Sequence, residues 1–246
     1  NIWEQNMISA SGIPTDAFAY TGIGSAETVG MPMVYKTRNA LMSFLGRVNY
    51  NFADKYLWTI TNRFDGNSGF ALGSKWGNFP SISGAWRISQ EKFLKNINYL
   101  DDFKIRAGWG ITGNSRIGNY RSLCLLTNNR YVIGNNTVAG IGPSKIGNTD
   151  LRWESTEMYN LGVDIGLFKN RLNLTADFYI KYTTDMLMNY DIPATSGYSV
   201  AFINAGELEN KGMEFNINGR ILDKKFKWNV NANVSFNRDK VIKLFN

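Results

Sequence analysis

The stretch that decides the fold is residues 226–236, which read FKWNVNANVSF. Every second residue is apolar, and the residues between them are lysine, asparagine or serine. Successive side chains of a β-strand point to opposite sides, so this pattern predicts a strand with one apolar and one polar face. We expect Phe178, Ile180, Val230 and Val234 on one side of a sheet, and Asn173, Asp177, Asn231 and Asn233 on the other.

The same alternation occurs along most of the chain. Residues 172–183 show it almost as regularly, with leucine, phenylalanine and isoleucine on one side and polar residues on the other. Six further stretches read as strands with less regular patterns: 40–52, 55–64, 81–89, 103–112, 151–167 and 208–221. Only residues 90–99 have apolar residues at helical spacing, which predicts one short helix. The fold class predicted is all-β, with about eight strands.

The length of the strands favours a membrane barrel over a soluble sandwich. Eleven residues at about 3.3 Å each, tilted by about 40°, rise about 28 Å, close to the roughly 25 Å apolar band of an outer-membrane barrel. The predicted connections alternate between short and long, as expected for short periplasmic turns and long external loops. The sequence therefore predicts an antiparallel transmembrane β-barrel. In this topology residues 134–142 lie outside the cell and residues 169–171 in the periplasm.

Composition excludes several classes of protein. Hydrophobic residues make up 43% and mean hydropathy is −0.27, too polar for a bundle of membrane helices. There is no histidine and only one cysteine, which removes the commonest zinc ligands and nucleophiles of the Ser-His-Asp kind. The net charge is +7, but the basic residues are scattered singly apart from one adjacent pair, Lys224 and Lys225, which argues against nucleic-acid binding. We expect no enzymatic activity, no cofactor and no metal site.

Two sequence patterns resemble ligand sites but have structural explanations. Residues 108–113, GWGITG, match the dinucleotide fingerprint, yet no helix is predicted after them. Glycines on an inner face, where a ligand or plug comes close, explain them better. Residues 65–69, DGNSG, are rich in oxygen ligands but lack the rest of a calcium loop, so turn formation is the preferred interpretation.

The predicted topology favours a fragment of a larger barrel over a small complete barrel. With short turns in the periplasm, both ends of the chain lie outside the cell, and an open sheet of eight strands leaves two edges facing lipid. We therefore expect a fragment of a larger barrel. The alternatives are a complete eight-stranded barrel that acts as a structural anchor or adhesin, and a soluble carbohydrate-binding sheet protein. Closure of the first strand on the last distinguishes the complete barrel.

A series of short motifs follows in a fixed order. They are RFDG at 63–66, FPSIS at 79–83, WRIS at 86–89, KIR at 104–106, GITGN at 110–114, NTDLRWE at 148–154, DML at 185–187 and NAG at 204–206. Together they resemble the barrel of the SusC/RagA family of TonB-dependent outer-membrane transporters. Thr149 departs from the proline that the family usually has.

The resemblance implies a larger barrel of about 22 strands that is plugged by a separate domain. The whole of 1–246 is then part of one barrel domain, with 1–38 an external loop segment, 39–246 about eight strands, and the plug not present. It also implies location in the outer membrane of a Gram-negative bacterium and import of a nutrient, a glycan or a peptide. The partners implied are a SusD-like lipoprotein over the external mouth, the TonB complex acting through other parts of the protein, and outer-membrane lipid.

Two sets of residues are candidates for contact with a solute. Charged residues predicted on the inner face are candidates to line a path for a polar solute: Arg47, Arg63, Arg87, Arg106, Arg152, Asp164, Asp177 and Glu214. Aromatic residues of the predicted loops are candidates for contact with substrate or lid: Trp76, Tyr120, Tyr131 and Tyr198. The structural alternative stays open for both sets, with charges facing water or the plug and aromatic rings packing within loops.

Overall fold

The computed structural model describes residues 2–13, 15, 22–94 and 97–244, which form two compact units, Asn1–Ala40 and Leu41–Asn246. The first unit contains two small antiparallel pairs. Strand β1 (Ile2–Met7) pairs with β4 (Met33–Arg38), and β2 (Ala10–Ser11) pairs with β3 (Thr28–Val29). The segment predicted as a loop, 1–38, therefore contains short strands; its external location stays a prediction.

The second unit is built around one antiparallel sheet. In chain order its strands are β5 (Leu41–Phe52), β6 (Tyr56–Asn67), β7 (Trp76–Arg87), β8 (Leu100–Asn114), β9 (Leu125–Ile133), β10 (Asn136–Lys145), β11 (Glu154–Leu167), β12 (Leu172–Thr184), β13 (Leu187–Asp191), β14 (Val200–Asn204), β15 (Glu207–Asp223) and β16 (Lys227–Lys243). Eight of them form the sheet in the order β16-β15-β12-β11-β8-β7-β6-β5. The eight predicted strands are confirmed, since each corresponds to one of these.

The strand ends differ from the prediction where the alternation breaks down. Strand β16 continues from Phe236 to Lys243, although Arg238 and Lys240 occupy positions of its apolar face. Strand β7 begins at Trp76, before the predicted residue 81. Backbone hydrogen bonds extend a ladder whatever the side chains are, so a hydrophobic pattern underestimates these strands. Strand β11 begins later than predicted, at Glu154.

The predicted helix at residues 90–99 is wrong for the described residues of this segment, 90–94 and 97–99. Ile88–Gln90 form one turn of 3-10 helix. Beyond it, the amides of Leu94, Ile97 and Leu100 bond to carbonyls three residues earlier, as in successive turns. The described apolar residues of this segment therefore lie in turns. No helix of the described residues is long and apolar enough to cross a membrane.

The two longest connections carry hairpins of their own. Strand β9 pairs with β10 in the connection between β8 and β11, and β13 pairs with β14 in the connection between β12 and β15. These connections lie at one end of the sheet. At the other end, residues 53–55, 168–171 and 224–226 form tight turns, and the described residues of the longer connection between β7 and β8 contain further turns. The predicted alternation of connections is thus visible as two different ends of the sheet.

The register gives the sheet one apolar and one polar face, as predicted. One row of directly paired residues on the apolar face crosses all eight strands: Tyr50, Trp58, Gly84, Ala107, Leu161, Phe178, Met213 and Phe236. The neighbouring row on the polar face is Asn49, Thr59, Ser83, Gly108, Asn160, Tyr179, Gly212 and Asn237. Many large apolar residues of the first face are exposed in this chain, which does not favour the soluble alternative.

The apolar face also reveals how far the strands are inclined. Tyr50 and Phe236 belong to one row, yet Tyr50 is near the short turn of β5, whereas Phe236 ends the apolar run of β16 nearest the long connections. The centres of the two runs, residues 47 and 232, are offset by about seven residues, or about 23 Å, across seven strand spacings that total about 34 Å. If both runs lie at one membrane depth, the strands tilt by about 35°, within the range of outer-membrane barrels.

The sheet is open. Strands β5 and β16 each pair on one side only among the described residues, and they do not pair with each other. This is the arrangement of a partial barrel, and the complete eight-stranded alternative is not favoured.

Candidate functional site

The polar face brings together most of the charged residues that were predicted to line the lumen. Arg47, Arg63, Arg87, Arg106, Asp164, Asp177 and Glu214 all lie on strands of the sheet, at positions of this face. Arg47 donates from Nε to Thr61 Oγ1 at 3.1 Å, and Arg87 lies 3.8 Å from Asp102. The face therefore presents hydrogen-bonding groups along its whole width.

The densest charge cluster is centred on Arg106. Its Nε is 2.8 Å from Asp164 Oδ2, its Nη2 is 3.1 Å from Asp177 Oδ1, and Lys104 Nζ is 3.0 Å from Asp164 Oδ2. Gly162 lies between these side chains: a Cβ there would be 2.5 Å from Asp177 Oδ1. Glycine at this position lets the guanidinium and the two carboxylates meet over the backbone.

A groove of about 470 Å³ crosses the polar face beside this cluster. Its lining includes the small residues Ser81, Ser83, Gly108 and Gly110 and also the apolar residues Leu45, Phe79 and Met158. The glycines of the dinucleotide-like motif therefore lie in strand β8, as expected on an inner face, and no helix opens on them.

Basic residues flank the groove. Arg47 and Arg63 line one side, and Arg63 is held by Asp65 at 2.7 Å. The groove can accept a polar solute or an extended segment of chain.

A small apolar core, called the loop base below, lies where the long connections meet the sheet. Phe70, Phe79, Ile117, Leu151 and Trp153 pack together, and Phe70 and Leu151 are 1% and 0% exposed. The Trp153 ring centroid is 5.3 Å from those of both Phe70 and Phe79. Leu151 and Trp153, predicted to be in a strand, therefore belong to this core.

The calcium-like motif, residues 65–69, directly precedes Phe70 of the loop base. Asn67 Oδ1 accepts a hydrogen bond from the Gly69 amide at 2.8 Å, and Asn67 Nδ2 donates to the Ser115 carbonyl at 3.4 Å. Asp65, Gly66 and Asn67 end strand β6, and the hydrogen bond from Gly69 to Asn67 forms the turn that follows, the interpretation preferred from the sequence. Among the described residues, no group of three or more His, Cys, Asp or Glu side chains is arranged to hold a metal ion.

Three of the sequence motifs meet in a hydrogen-bonded cluster that joins two connections. Arg152 Nη2 is 2.6 Å from Asp185 Oδ1, and Asn204 Nδ2 donates to the carbonyls of Arg152 and Asp185, both at 2.8 Å. Glu154 Oε2 accepts from the Leu187 amide at 3.0 Å. The hydrogen bond and charge of Asp185 raise the pKa of Arg152 above its ordinary value.

This cluster corrects the assignment of Arg152. Arg152 lies before the start of strand β11, so it does not line the sheet as predicted. Its side chain joins the connection before β11 to the connection after β12.

Two of the predicted loop aromatics line one pocket. Tyr120 and Tyr198 come from different connections and border a pocket of about 290 Å³, together with Arg121, Lys145 and Phe202. The Arg121 guanidinium lies over the Phe202 ring, 5.2 Å from its centroid. Neither Arg121 nor Lys145 forms an ion pair with any carboxylate of the described residues. The pocket can stack flat apolar faces and attract anionic groups.

The other two loop aromatics lie elsewhere. Trp76 is the first residue of β7, and its ring stacks near Phe44 and Phe64, at centroid distances of 6.1 Å, on the apolar face. It was therefore wrongly placed in a loop. Tyr131 lies in β9, where its ring covers Gly140 of the same hairpin. It is 47% exposed but does not line the pocket.

Sequence reasoning did not identify Arg121, Lys145 or Phe202. They belong to two connections that only the fold brings together, and no spacing in the sequence marks them. The two hairpins β9/β10 and β13/β14 were also not predicted, because their strands are short or lack regular alternation.

Comparison with known proteins agrees with this architecture. The family described as "TonB dependent receptor-like, beta-barrel" matches residues 9–243. The TonB-dependent receptor SusC of Bacteroides thetaiotaomicron is 40% identical over 217 residues, 85% of this chain and 22% of SusC. The TonB-dependent receptor P3 of Formosa agariphila is 39% identical over 242 residues, 98% of this chain and 24% of P3.

Solved structures lead to the same assignment. A structure of the RagAB peptide transporter matches with a TM-score of 0.88 and 32% identity over 99% of this chain and 27% of that chain. The chain thus spans about a quarter of the length of the relatives it matches. It belongs to the TonB-dependent receptor-like β-barrel family of outer-membrane proteins.

Proposed function

We propose that this chain forms part of the barrel wall and external loops of a TonB-dependent outer-membrane importer of oligosaccharides. The observation that carries the proposal is the separation of a mainly apolar face from a mainly polar face. One side of the eight-stranded sheet is apolar and suits lipid, and the other is polar and charged and suits a hydrated interior. The segment itself performs no covalent chemistry.

The loop pocket supports an oligosaccharide as the solute. Tyrosine rings stack on the apolar faces of sugars, and hydroxyl and amide groups of the polar face can replace the hydrogen bonds that a glycan makes with water. The pocket contains Tyr120 and Tyr198, and the polar face beyond it carries serine, threonine and asparagine in every row near its centre. Arg121 and Lys145 add affinity for glycans with carboxylate or sulfate groups.

A peptide is the second candidate. The RagAB structure that matches this chain is described as that of a peptide transporter. Arg121 and Lys145 also suit peptide carboxylates, so charge alone does not distinguish the two solutes.

Two partners complete the proposal. A SusD-like lipoprotein closes over the external loops, and the TonB complex supplies energy through parts of the protein outside this chain. Further strands of the barrel pair with the open edges of β5 and β16, because unpaired backbone groups are costly in lipid.

The experiment is uptake by a strain in which the full-length receptor is deleted and then restored. Fluorescent neutral oligosaccharides, acidic oligosaccharides and peptides are supplied separately, with and without TonB. We expect TonB-dependent uptake of oligosaccharide, reduced about tenfold when Tyr120 and Tyr198 are both changed to Ala, because each lost ring contact is equivalent to about 0.5–1.5 kcal/mol. Tyr131→Ala is the matched control and should transport normally.

Uptake of peptide alone would replace the oligosaccharide proposal by the second candidate. Uptake of neither solute, or uptake that does not require TonB, would contradict the proposed function itself. Purification of the restored receptor under mild detergent conditions tests the lid: a lipoprotein of SusD type should accompany it in equal amount.

A further inference from the structure

The apolar face contains a groove that is bounded by cations on the side nearest the long connections. The groove has a volume of about 680 Å³ and runs over strands β8, β11, β12, β15 and β16. Its apolar walls are Leu161, Phe178, Ile180, Met213 and Phe236, and the small side chain of Ala107 lies at one end. Most of this groove lies over the interior strands of the sheet, so β16, the outer strand, forms only one side of it.

The cations lie on the side of the groove that faces the long connections. Lys211 and Arg238 are directly paired across β15 and β16, in the row above Met213 and Phe236. The next row contains Glu209 paired with Lys240. Lys211 contacts Glu209 at 3.1 Å, whereas Arg238 forms no hydrogen bond or ion pair within the part of the chain that the structure describes.

These positions coincide with the border of the apolar band on β15 and β16. Below Arg238, every outward residue of β16 from Trp228 to Phe236 is apolar. Above it, the outward residues of both strands are charged up to Lys240. The groove therefore offers hydrocarbon contact below. At the level where lipid headgroups begin it offers three cations and one carboxylate, with a net positive charge.

We propose that this groove binds a lipid of the external leaflet that carries a phosphorylated headgroup. An acyl chain lies along Phe178 and Met213, and the phosphate is held by Arg238 and Lys211. Charge complementarity selects this occupant, since the three cations at this border, Lys211, Arg238 and Lys240, outnumber the one carboxylate beside them, Glu209. The external leaflet follows from the proposed orientation, in which the long connections face outward.

The test uses the full-length receptor, purified in a mild detergent and examined by native mass spectrometry. The probes are bis-phosphorylated lipid A, the same lipid after removal of its phosphates, and phosphatidylglycerol. We expect bound lipid A to fall about tenfold in a Lys211→Gln/Arg238→Gln double variant, a change equivalent to about 1.4 kcal/mol of binding free energy. Lys225→Gln, at the short-turn end of the same hairpin, is the matched control and should retain the lipid.

Several results would overturn the proposal. They are equal retention of lipid A by the double variant and the native protein, equal binding of the dephosphorylated lipid, and preference for phosphatidylglycerol. If the double variant does not fold, Leu161→Trp, which fills the groove and keeps both cations, gives the deciding measurement: lipid retention must fall. Solute uptake is measured in parallel, so a failure of this proposal is distinguishable from a failure of the importer function.

Discussion

Ala232 and Asn231 are neighbours in the chain, but their side chains point to opposite faces of the sheet. Ala232 is at the centre of the apolar run of β16, and Asn231 points to the polar face, paired with Asn218. In the full-length receptor, Ala232→Arg should destabilise the folded barrel by about 2–4 kcal/mol, because it places a charge near the middle of the bilayer. Asn231→Arg should be tolerated. Urea unfolding in lipid vesicles measures both, and equal losses would contradict the assignment of the faces.

Arg106 connects three strands through its two carboxylate partners. Arg106→Leu leaves Asp164 and Asp177 without the guanidinium, at side-chain exposures of 21% and 23%. We expect a loss of about 1–3 kcal/mol in the free energy of unfolding. The double variant Arg106→Leu/Asp164→Leu should be less destabilised than the sum of the two single variants, and strict additivity would show that the pair is not coupled.

At the scale of elements, the loop base behaves as a small hydrophobic core attached to the end of the sheet. Leu151→Ala should destabilise it by about 2–5 kcal/mol, because a fully buried leucine leaves a cavity. The expected result is faster amide hydrogen exchange in residues 115–153, with the exchange of β11 and β12 unchanged. Leu123→Ala, at an exposed position of the same connection, should have no effect. Faster exchange throughout the sheet would contradict the separation of core and wall.

The connection between β7 and β8 is joined to the sheet by hydrogen bonds to the carboxylate of Glu91. Glu91 accepts hydrogen bonds from Lys55 at 2.7 Å, from Tyr56 at 3.0 Å and from Trp86 at 3.3 Å. The bond from Lys55, followed by that from Tyr56, lowers the pKa of Glu91 below its ordinary value of 4.5.

A lowered carboxylate pKa has a defined effect on stability. The contribution of Glu91 is fully present above its unfolded-state pKa and is lost as the pH falls through its folded-state pKa. We therefore expect hydrogen exchange of residues 88–94 to accelerate as the pH is lowered below about 4.5, after correction for the intrinsic exchange rate. Glu91→Gln should exchange rapidly at all pH values, and Glu207→Gln should behave as the native protein. A pH-independent native protein would rule out this role.

For the molecule as a whole, the two ends of the sheet should lie on opposite sides of the membrane. The hairpin turn at residues 134–135 belongs to the longest connection, and residues 168–171 form a short turn at the other end of β11. Epitope tags inserted beside Asn136 and Asn170 of the full-length receptor test the orientation. We expect antibody labelling of intact cells at Asn136 only; surface labelling at Asn170 alone would reverse the topology.

The sequence by itself determined the features that depend on local periodicity. Alternation identified all eight strands of the sheet and assigned their faces, because a side-chain period of two is a property of each strand alone. The motifs identified the family, and seven of the eight predicted inner residues lie on the polar face. The prediction of a short helix was wrong because the spacing of apolar residues does not distinguish a helix from a series of turns.

Only the tertiary structure decided how distant parts of the chain combine. Arg152 lies beside Asp185 and Asn204, and Tyr120 and Tyr198 line one pocket. Trp76 lies on the apolar face of the sheet and not in a loop. The tertiary structure also fixed the offset between β5 and β16 that reveals the tilt of the strands. These features depend on the register between strands and on contacts across long connections, which are set by the summed packing of the sheet and are not encoded in any single stretch of sequence.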